Sequence, residues 1–414
     1  MKRILLFAGI LAGLWGCDRW DSDRTTDRLR ADAWGDRDGG RETAARDSSV
    51  LWISGVEFPT GYDWQRDTAY GTVDARLVLL RGGKRVLEIP AGDRFQVSTD
   101  PDMHRIAGGR LFTDYSTEDE TVIACDGKEV FRYPGREMIA GFLLRGTDIW
   151  TLGLDRVTGR GISLRRNGTE VFSDPQGQLP GGHDNTAYEG GLLHEADGAL
   201  WFFYYQATRT DAGQVRTWYR VRDGVPEPLT LPQGITVLHD IRQVGSQTVL
   251  AAEMKALDMP LVAWQGSRSQ AFRLDGATGS RNYRIVPTGG EDFCLKGEML
   301  LGQSAVPAVW NKSGEQLSVS WNMKALDFYM EDGHVAYVGA GSDGIPICYG
   351  TDGNDTVLAE RNHFISPRCG LLHDGVFYLA LTPCDRKKPP FLLRNGQVET
   401  IRINGYVTGL AITD

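Results

Sequence analysis

The feature that most restricts how this chain can fold is a repeat that runs through everything after residue 50. Each copy has a short apolar segment, a polar turn containing glycine and a second short segment, as in LVLLRGGKRVLEI and TVIACDGKEVFRY. Glycine, and Asn or Asp before it, accept the positive φ of two-residue hairpin turns, so each copy predicts a β-hairpin. Eight such turns follow one another, about 45 residues apart on average, at Gly83, Gly127, Gly168, Gly224, Gly266, Gly314, Gly353 and Gly396.

A second hairpin precedes most copies, and it makes each unit four-stranded. An earlier glycine turn, which the pattern places at Gly297 in blade six, and a further strand-like segment, such as MIAGFLL or VLHDIRQV, lie before the hairpin. No stretch has helical periodicity over twelve or more residues. A four-stranded unit of about 45 residues with glycine-rich turns predicts an all-β fold, a β-propeller. Eight units predict eight blades, with seven blades as the alternative.

The two ends of the repeat predict how the propeller closes. The first unit begins at SSVLWISGVEF and lacks the first of its four strands, here called A to D. The chain ends with GYVTGLAITD, a strand that has no unit of its own. We therefore expect the last strand to complete blade one. Such closure pairs edges that would otherwise promote aggregation.

The N-terminal residues have the pattern of a secretory signal. Lys2 and Arg3 precede an apolar run, Ile4–Gly16, which is shorter than the ~20 residues that span a bilayer. The run ends in Leu-Trp-Gly followed by Cys17, which resembles the lipobox of bacterial lipoproteins. That resemblance implies cleavage before Cys17 and lipid attachment to it. The alternative is an ordinary secretory signal with an incidental cysteine.

A charged segment separates this signal from the repeat. Residues 18–49 are rich in Asp, Glu and Arg and contain almost no aliphatic side chains, so they cannot bury enough apolar area to fold. We predict a signal peptide at 1–16, a lipidated Cys17 with a disordered tether to residue 49, and a propeller domain at 50–414.

Composition and motifs narrow the function classes. The net charge of −9 argues against sequence-independent binding of nucleic acid, which needs a basic surface. The sequence contains no HExxH, GxSxG or Walker A motif and no CxxC pair, and we predict neither a cofactor nor a metal site. Beyond Cys17, five cysteines remain; Cys369 and Cys384 are candidates for a disulfide, with buried thiols as the alternative.

Polar residues in the predicted A strands are candidates for a site in the central channel. His239 and Asp240 precede the turn glycine Gly245 by six and five residues, and Asp327 precedes Gly333 by six. In blade eight, Arg368 lies next to the matching position. Because A strands line the channel of a propeller, we expect these side chains to face a ligand, a metal or channel water. A His–carboxylate set has the groups of a general acid and base.

Two insertions interrupt the otherwise short turns. Residues 58–75 join strands B and C of blade one, and residues 173–188 join blades three and four. The B–C and D–A loops of a propeller emerge on one face, so both insertions are expected to flank one channel mouth. Their candidate ligand-binding residues are Tyr62, Trp64, Arg66, Tyr70, His183 and Asp184. Aromatic rings stack on sugars; alternatively, these rings pack their own loops.

The repeat and the Cys17 motif together resemble lipid-anchored β-propeller lipoproteins of the bacterial cell envelope. The resemblance implies attachment to a membrane by lipid, in the periplasm or at the cell surface. From it and from the insertions we predict a binding module whose ligand is a glycan or an envelope protein. Two alternatives remain, namely an enzyme acting on polysaccharide, such as a lyase or hydrolase, and a scaffold subunit of an envelope complex.

Overall fold

The computed structural model describes residues 49–413, with gaps at 63–73, 91–103, 117–118, 181–191, 212, 255–260, 267, 273–278, 302–303, 318–322, 332–333, 342–346, 352–353, 360–368, 384–387 and 395–396. The predicted signal and tether lie outside this part of the chain. No helix occurs among the described residues, and none there could therefore span a membrane.

The first half of the described chain forms strands β1 to β16. Their bounds are β1 (Val50–Glu57), β2 (Arg76–Arg81), β3 (Lys84–Pro90), β4 (His104–Ala107), β5 (Arg110–Ser116), β6 (Glu120–Cys125), β7 (Lys128–Pro134), β8 (Glu137–Arg145), β9 (Asp148–Asp155), β10 (Ile162–Arg166), β11 (Thr169–Asp174), β12 (Gly177–Gln178), β13 (His194–Ala196), β14 (Ala199–Thr210), β15 (Gly213–Arg222) and β16 (Val225–Leu229).

The second half forms strands β17 to β32. Their bounds are β17 (Ile235–Val244), β18 (Gln247–Met254), β19 (Leu261–Gln265), β20 (Arg268–Phe272), β21 (Gly279–Gly289), β22 (Asp292–Leu301), β23 (Ser304–Asn311), β24 (Met323–Glu331), β25 (His334–Gly341), β26 (Ile347–Thr351), β27 (Asn354–Ala359), β28 (Cys369–His373), β29 (Val376–Leu381), β30 (Phe391–Arg394), β31 (Gln397–Thr400) and β32 (Gly405–Thr413).

Within the described residues, these strands form eight antiparallel sheets, one for each predicted repeat unit. Seven sheets have four strands or more, and the sheet β21–β23 has three described strands. The innermost strands contact one another from β17 through β21, β24, β28 and β32 to β4, and β14, the second strand of blade four, contacts β17. The ring continues where Arg105 of β4 donates to the carbonyl of Ile139 in β8, and where Gly141 of β8 packs on Leu193. The predicted all-β propeller is confirmed.

The closure of the ring also follows the prediction. The C-terminal strand β32 pairs with β1 along the whole strand, from Val50 opposite Thr413 to Glu57 opposite Gly405. The indole of Trp52 donates to the Thr413 hydroxyl at 2.9 Å, and the hydroxyls of Ser54 and Thr408 lie 2.9 Å apart. The last strand is therefore the innermost strand of blade one, which joins the two ends of the described chain.

The hairpin turns form as the turn residues predict. At three of the C–D turns, an Asp or Asn and the following glycine both have positive φ: Asp126–Gly127 (51° and 76°), Asn167–Gly168 (51° and 80°) and Asp223–Gly224 (47° and 85°). These pairs define the type I′ turn that matches the twist of antiparallel strands. Local turn chemistry therefore sets where each hairpin reverses.

The hydrophobic core lies between neighbouring blades. One cluster combines Trp150 and Leu152 of blade three with Leu200 and Phe202 of blade four. Another packs Phe272 of blade five against Tyr283 and Trp310 of blade six. Each sheet buries both faces against its neighbours, so removal of one strand exposes apolar area on two blades.

A β-bulge recurs in the innermost strands. The register shifts at Ala140 in β8, at His239 in β17 and at Leu326 in β24, and β21 and β32 carry similar irregularities. A bulge inserts one unpaired residue and reverses the direction of the side chains that follow. Consecutive polar residues in these strands therefore point to different surroundings.

Two details of the predicted strand plan are corrected. Gly297, which the repeat pattern makes the A–B turn of blade six, lies inside strand β22; the turn is at Gly290 and Glu291. A Cβ at Gly297 would lie 2.3 Å from the ring of Tyr283, so this glycine makes room for a core aromatic. The second insertion, in turn, does not simply join two blades. Its residues Gly177 and Gln178 already pair with β14, inside the sheet of blade four.

Two cysteines of the propeller are buried thiols. Cys125 and Cys294 are buried, and burial raises the pKa of each to about 11, so both stay protonated at neutral pH. Cys369 is half-buried, with its Sγ 3.5 Å from the Val407 carbonyl of the next blade. The alternative of buried thiols therefore holds for Cys125 and Cys294. The candidate disulfide between Cys369 and Cys384 stays a prediction, because Cys384 lies outside the described residues.

Candidate functional site

The predicted ligand-binding residues divide into three groups. Tyr62, His239 and Asp240 are described with their side chains, and Asp327 is described by its backbone in β24. The others lie outside the described residues, and they are Trp64, Arg66, Tyr70, His183, Asp184 and Arg368. The geometry of a site can therefore be built around the channel strands, whereas the roles assigned to the loop residues stay predictions.

Tyr62 packs within its own loop. Its ring centroid lies 5.4 Å from that of Phe58, and Phe58 is itself buried beside Tyr406 of the closing strand. The amide of Tyr62 donates to the carbonyl of Pro59 at 3.1 Å. These contacts fix the start of the insertion against blade one and match the alternative in which loop aromatics pack the loop.

The Asp240 carboxylate forms hydrogen bonds at the boundary between blades five and six. The residue is 1% exposed. The Oδ1 atom accepts the amide of Ile241 at 2.9 Å, and Oδ2 accepts the amide of Ile285 in β21 at 2.8 Å. Among the described strands, β21 is the edge of its sheet, so the outward N–H of Ile285 finds no acceptor there. Asp240 supplies that acceptor across the blade boundary.

A buried arginine completes this boundary contact. The Nε atom of Arg242 lies 3.5 Å from Asp240 Oδ2, and both side chains are almost fully buried. The next residue, Gln243, donates its amide to Nε2 of His194 in blade four at 3.2 Å. Three consecutive blades are thus tied together through residues of one innermost strand.

His239 points away from Asp240, because it is the extra residue of the bulge. Its Nε2 lies 2.9 Å from Oε1 of Glu253, near the B–C end of β18. Its ring meets that of Tyr283 in blade six edge-on at 5.1 Å. Burial lowers the pKa of His239, while Glu253 opposes the shift. The ring is therefore neutral at pH 7, with Nε2–H donating to the carboxylate.

The structure changes which predicted residues correspond to one another. Asp327 and Asp240 both follow a bulge and lie four residues before the end of their strands, Glu331 and Val244. Asp327 therefore occupies the register position of Asp240 rather than that of His239. Cys369, whose Sγ meets the Val407 carbonyl of the next blade, takes the same position in β28.

Several residues that contact the predicted site residues were not themselves predicted from the sequence. Glu253 is the last residue but one of the mostly apolar strand β18. Arg284 donates to the carbonyl of His239 at 3.1 Å, and His194 accepts from Gln243. Burial lowers the pKa of His194 to about 3, assisted by the charge of Arg242. The one signal in the sequence is that charged residues interrupt apolar strands, as in LAAEMK. Arg284 and His194 find their partners in another blade, and Glu253 finds its partner on the neighbouring strand of its own blade, so none of these contacts leaves a spacing pattern.

Most polar groups of this arrangement bond to other protein groups, and the ring of His239 differs from them. The carboxylates and guanidinium groups around β17 bond to other protein groups and hold three blades together. The side chain of His239 is 11% exposed, and among the described residues no group bonds to its Nδ1 atom, which is an acceptor when Nε2–H donates to Glu253. The geometry therefore suits hydrogen bonding to a ligand, such as a hydroxyl or amide group.

No protein-family model matches this sequence, and no curated protein matches it either. Among solved structures, the β-propeller domain of the trilobed protease from Pyrococcus furiosus is similar, with a TM-score of 0.43 and 12% identity over 70% of this chain and 88% of that one. An acylaminoacyl peptidase from Pyrococcus horikoshii gives 0.39 and 11% over 70% and 50%. A puromycin-hydrolysing peptidase from Mycobacterium tuberculosis gives 0.39 and 12% over 77% and 56%. The chain thus matches about half the length of these two peptidases, and similarity at this level does not transfer an activity.

Proposed function

We propose that this protein is a lipid-anchored binding module of the bacterial cell envelope, held to a membrane through Cys17. The observation that carries the proposal is the position of the two ends of β1. Val50, at the start of β1, follows the charged tether and pairs with the end of the closing strand. Glu57, at the other end of β1, leads into the first insertion. The anchor and the insertion therefore leave the propeller on opposite faces.

This polarity supports a role in binding. A strand of eight residues is about 25 Å long. If the tether starts at a membrane, the face with Val50 is turned toward it and the face with the insertions is turned away. Loops on a rigid scaffold are where binding residues concentrate. A propeller displayed in this way presents residues 58–75 and the neighbourhood of His239 to the envelope space.

The ligand that we propose is a glycan or an envelope protein bound at this distal face. Trp64 and Tyr70 supply rings for stacking on a sugar, and Arg66, His183 and Asp184 supply polar partners. Tyr62 contributes by fixing the start of the loop through its contact with Phe58. His239 contributes a hydrogen-bonding group at the channel.

The anchor is tested with Cys17→Ala. We expect the wild type to sediment with membranes after a high-salt wash and the variant to move to the soluble fraction, because lipid chains contribute ~0.8 kcal/mol per buried CH₂. Cys125→Ala, which removes a buried thiol of the propeller, is the matched control and should stay with the membranes. A Cys17→Ala protein that still sediments refutes lipid attachment.

The ligand is tested separately on the purified protein. A glycan array and a cross-linking screen against envelope proteins identify a hit, which is then titrated against Trp64→Ala. The loss of a central aromatic contact should weaken binding by about 1–3 kcal/mol. Trp150→Phe, which changes a buried ring on the opposite face, is the control. Unchanged affinity in Trp64→Ala moves the site away from the first insertion.

A further inference from the structure

Three side chains of types that can ligate a metal ion meet on the face with the A–B turns, away from the site described above. Glu331 is the last residue of β24, His373 is the last residue of β28, and Asp374 begins the turn that follows. One ligand atom from each lies within 4.8 Å of the others. The Nδ1 atom of His373 is 3.6 Å from Oε1 of Glu331, and its Nε2 is 3.6 Å from Oδ2 of Asp374.

The backbone holds these groups in place. β24 and β28 are neighbouring innermost strands, so Glu331 comes from blade seven and the other two from blade eight. The amide of Gly375 donates to Oε2 of Glu331 at 3.3 Å, which links the two turns. Asp374 has a φ of 50°, the left-handed conformation of an Asp-Gly hairpin turn. The cluster therefore spans a blade boundary and is fixed on both sides.

The charge of the cluster favours a cation. Glu331 and Asp374 carry two negative charges when ionised, and in the described part of the chain no lysine or arginine pairs with either carboxylate. The side chains of Glu331 and His373 are 26% and 25% exposed, and that of Asp374 is 83% exposed. An ion in solution can therefore reach all three.

We propose that Glu331, His373 and Asp374 bind a divalent transition metal ion of the Zn²⁺ type, which joins blades seven and eight. Zinc takes imidazole nitrogen and carboxylate oxygen at about 2.1 Å, so tetrahedral ligand atoms lie about 3.4 Å apart. The 3.6 Å between His373 Nδ1 and Glu331 Oε1 fits that geometry. Because a metal takes one imidazole nitrogen, the exposed Asp374 carboxylate turns to supply the third ligand, and water takes the fourth position.

The donor set also selects the metal. Calcium and magnesium prefer oxygen ligands throughout, whereas imidazole suits zinc and its neighbours. The sequence predicts no metal site because Glu331 and His373 belong to different repeat units. Only the packing of adjacent blades brings them together.

The experiment uses the full-length protein, stripped of metal with a chelator and titrated calorimetrically with ZnCl₂. We expect one zinc ion per chain to bind in the wild type and affinity to fall at least tenfold in Asp374→Asn and in Glu331→Gln. Asparagine keeps the left-handed turn, and glutamine keeps an acceptor for Gly375. The matched control is Asp197→Asn in the equivalent Asp-Gly turn of blade four, where Ala196 replaces the histidine. It should bind zinc as the wild type does.

A second readout keeps the test independent of calorimetry. Zinc should raise the melting temperature of the wild type and of Asp197→Asn, because a ligand that binds only the folded state stabilises it. The rise should be absent in the double variant Glu331→Gln/Asp374→Asn, and calcium should produce none in any variant. No zinc binding by the wild type, or a loss of less than tenfold in the double variant, overturns the proposal.

Discussion

Asp240→Ala tests whether a single buried carboxylate holds blades five and six together. Asp240 accepts two backbone amides at 2.9 and 2.8 Å and lies 3.5 Å from the buried Arg242 guanidinium. Alanine leaves the Ile285 amide without this acceptor, which costs about 1–3 kcal/mol. It also removes one partner of a buried ion pair, which costs about 3–5 kcal/mol. These effects overlap, so we expect the free energy of unfolding to fall by about 3–5 kcal/mol.

The measurement is urea unfolding followed by tryptophan fluorescence. Natural domains are stable by about 5–15 kcal/mol, so Asp240→Ala removes a large share of that stability. Asp240→Asn is the milder variant; it keeps the size and one acceptor oxygen and should lie between the wild type and alanine. Asp119→Ala, at an exposed bend, should change stability by less than about 0.5 kcal/mol. If Asp240→Ala unfolds within 1 kcal/mol of the wild type, Asp240 is not a clamp between the blades.

Two further predictions concern closure and pH. Deletion of Gly405–Asp414 removes the strand that pairs with β1 and contacts β4 and β28. The midpoint of urea unfolding should therefore fall, and size-exclusion chromatography should show aggregates. A truncated protein that stays monomeric with an unchanged midpoint contradicts the predicted closure. The lowered pKa of His194, about 3 against 6.5 in the unfolded chain, means that the unfolded state binds the proton first. Stability is then complete above pH 6.5 and falls as the pH drops through the window from 6.5 to 3. Between pH 7 and 5.5 the free energy of unfolding of the wild type should fall by about 1 kcal/mol from this group. The His194→Gln variant should lack this contribution to the pH dependence; the same pH dependence in both proteins refutes the prediction.

At the candidate site, the spacing of residues along the sequence does not predict which surroundings each side chain faces. Counting back from turn glycines groups His239 with Asp327, but Gly245 directly follows the end of β17, whereas Gly333 comes two residues after the end of β24. The bulge at His239 also places His239 and Asp240 in different surroundings. Asp240 consequently faces Ile285 in blade six, and His239 faces Glu253. Side chains in a strand alternate with a period of two, so one unpaired residue exchanges the two environments. A bulge has no reliable signature in a single sequence.

The sequence by itself determined the local architecture of this protein. Asp-Gly and Asn-Gly pairs such as Asp126–Gly127 define hairpins because few residues accept positive φ, and their regular spacing indicates four-stranded units. The unpaired strand at the end of the chain predicts closure with β1, since each unit needs four strands. These features depend on neighbours along the chain.

Contacts between blades were decided only by the tertiary structure. Asp240 with Ile285, His194 with Gln243, and Glu331 with His373 each join residues from different repeat units. Gly297 looks like a turn residue in the sequence, yet it makes room for the Tyr283 ring inside a strand. Such pairings depend on how twisted sheets pack face to face around a ring, which fixes the register between blades. No local residue preference specifies that register, because every blade has nearly the same pattern of strands and turns.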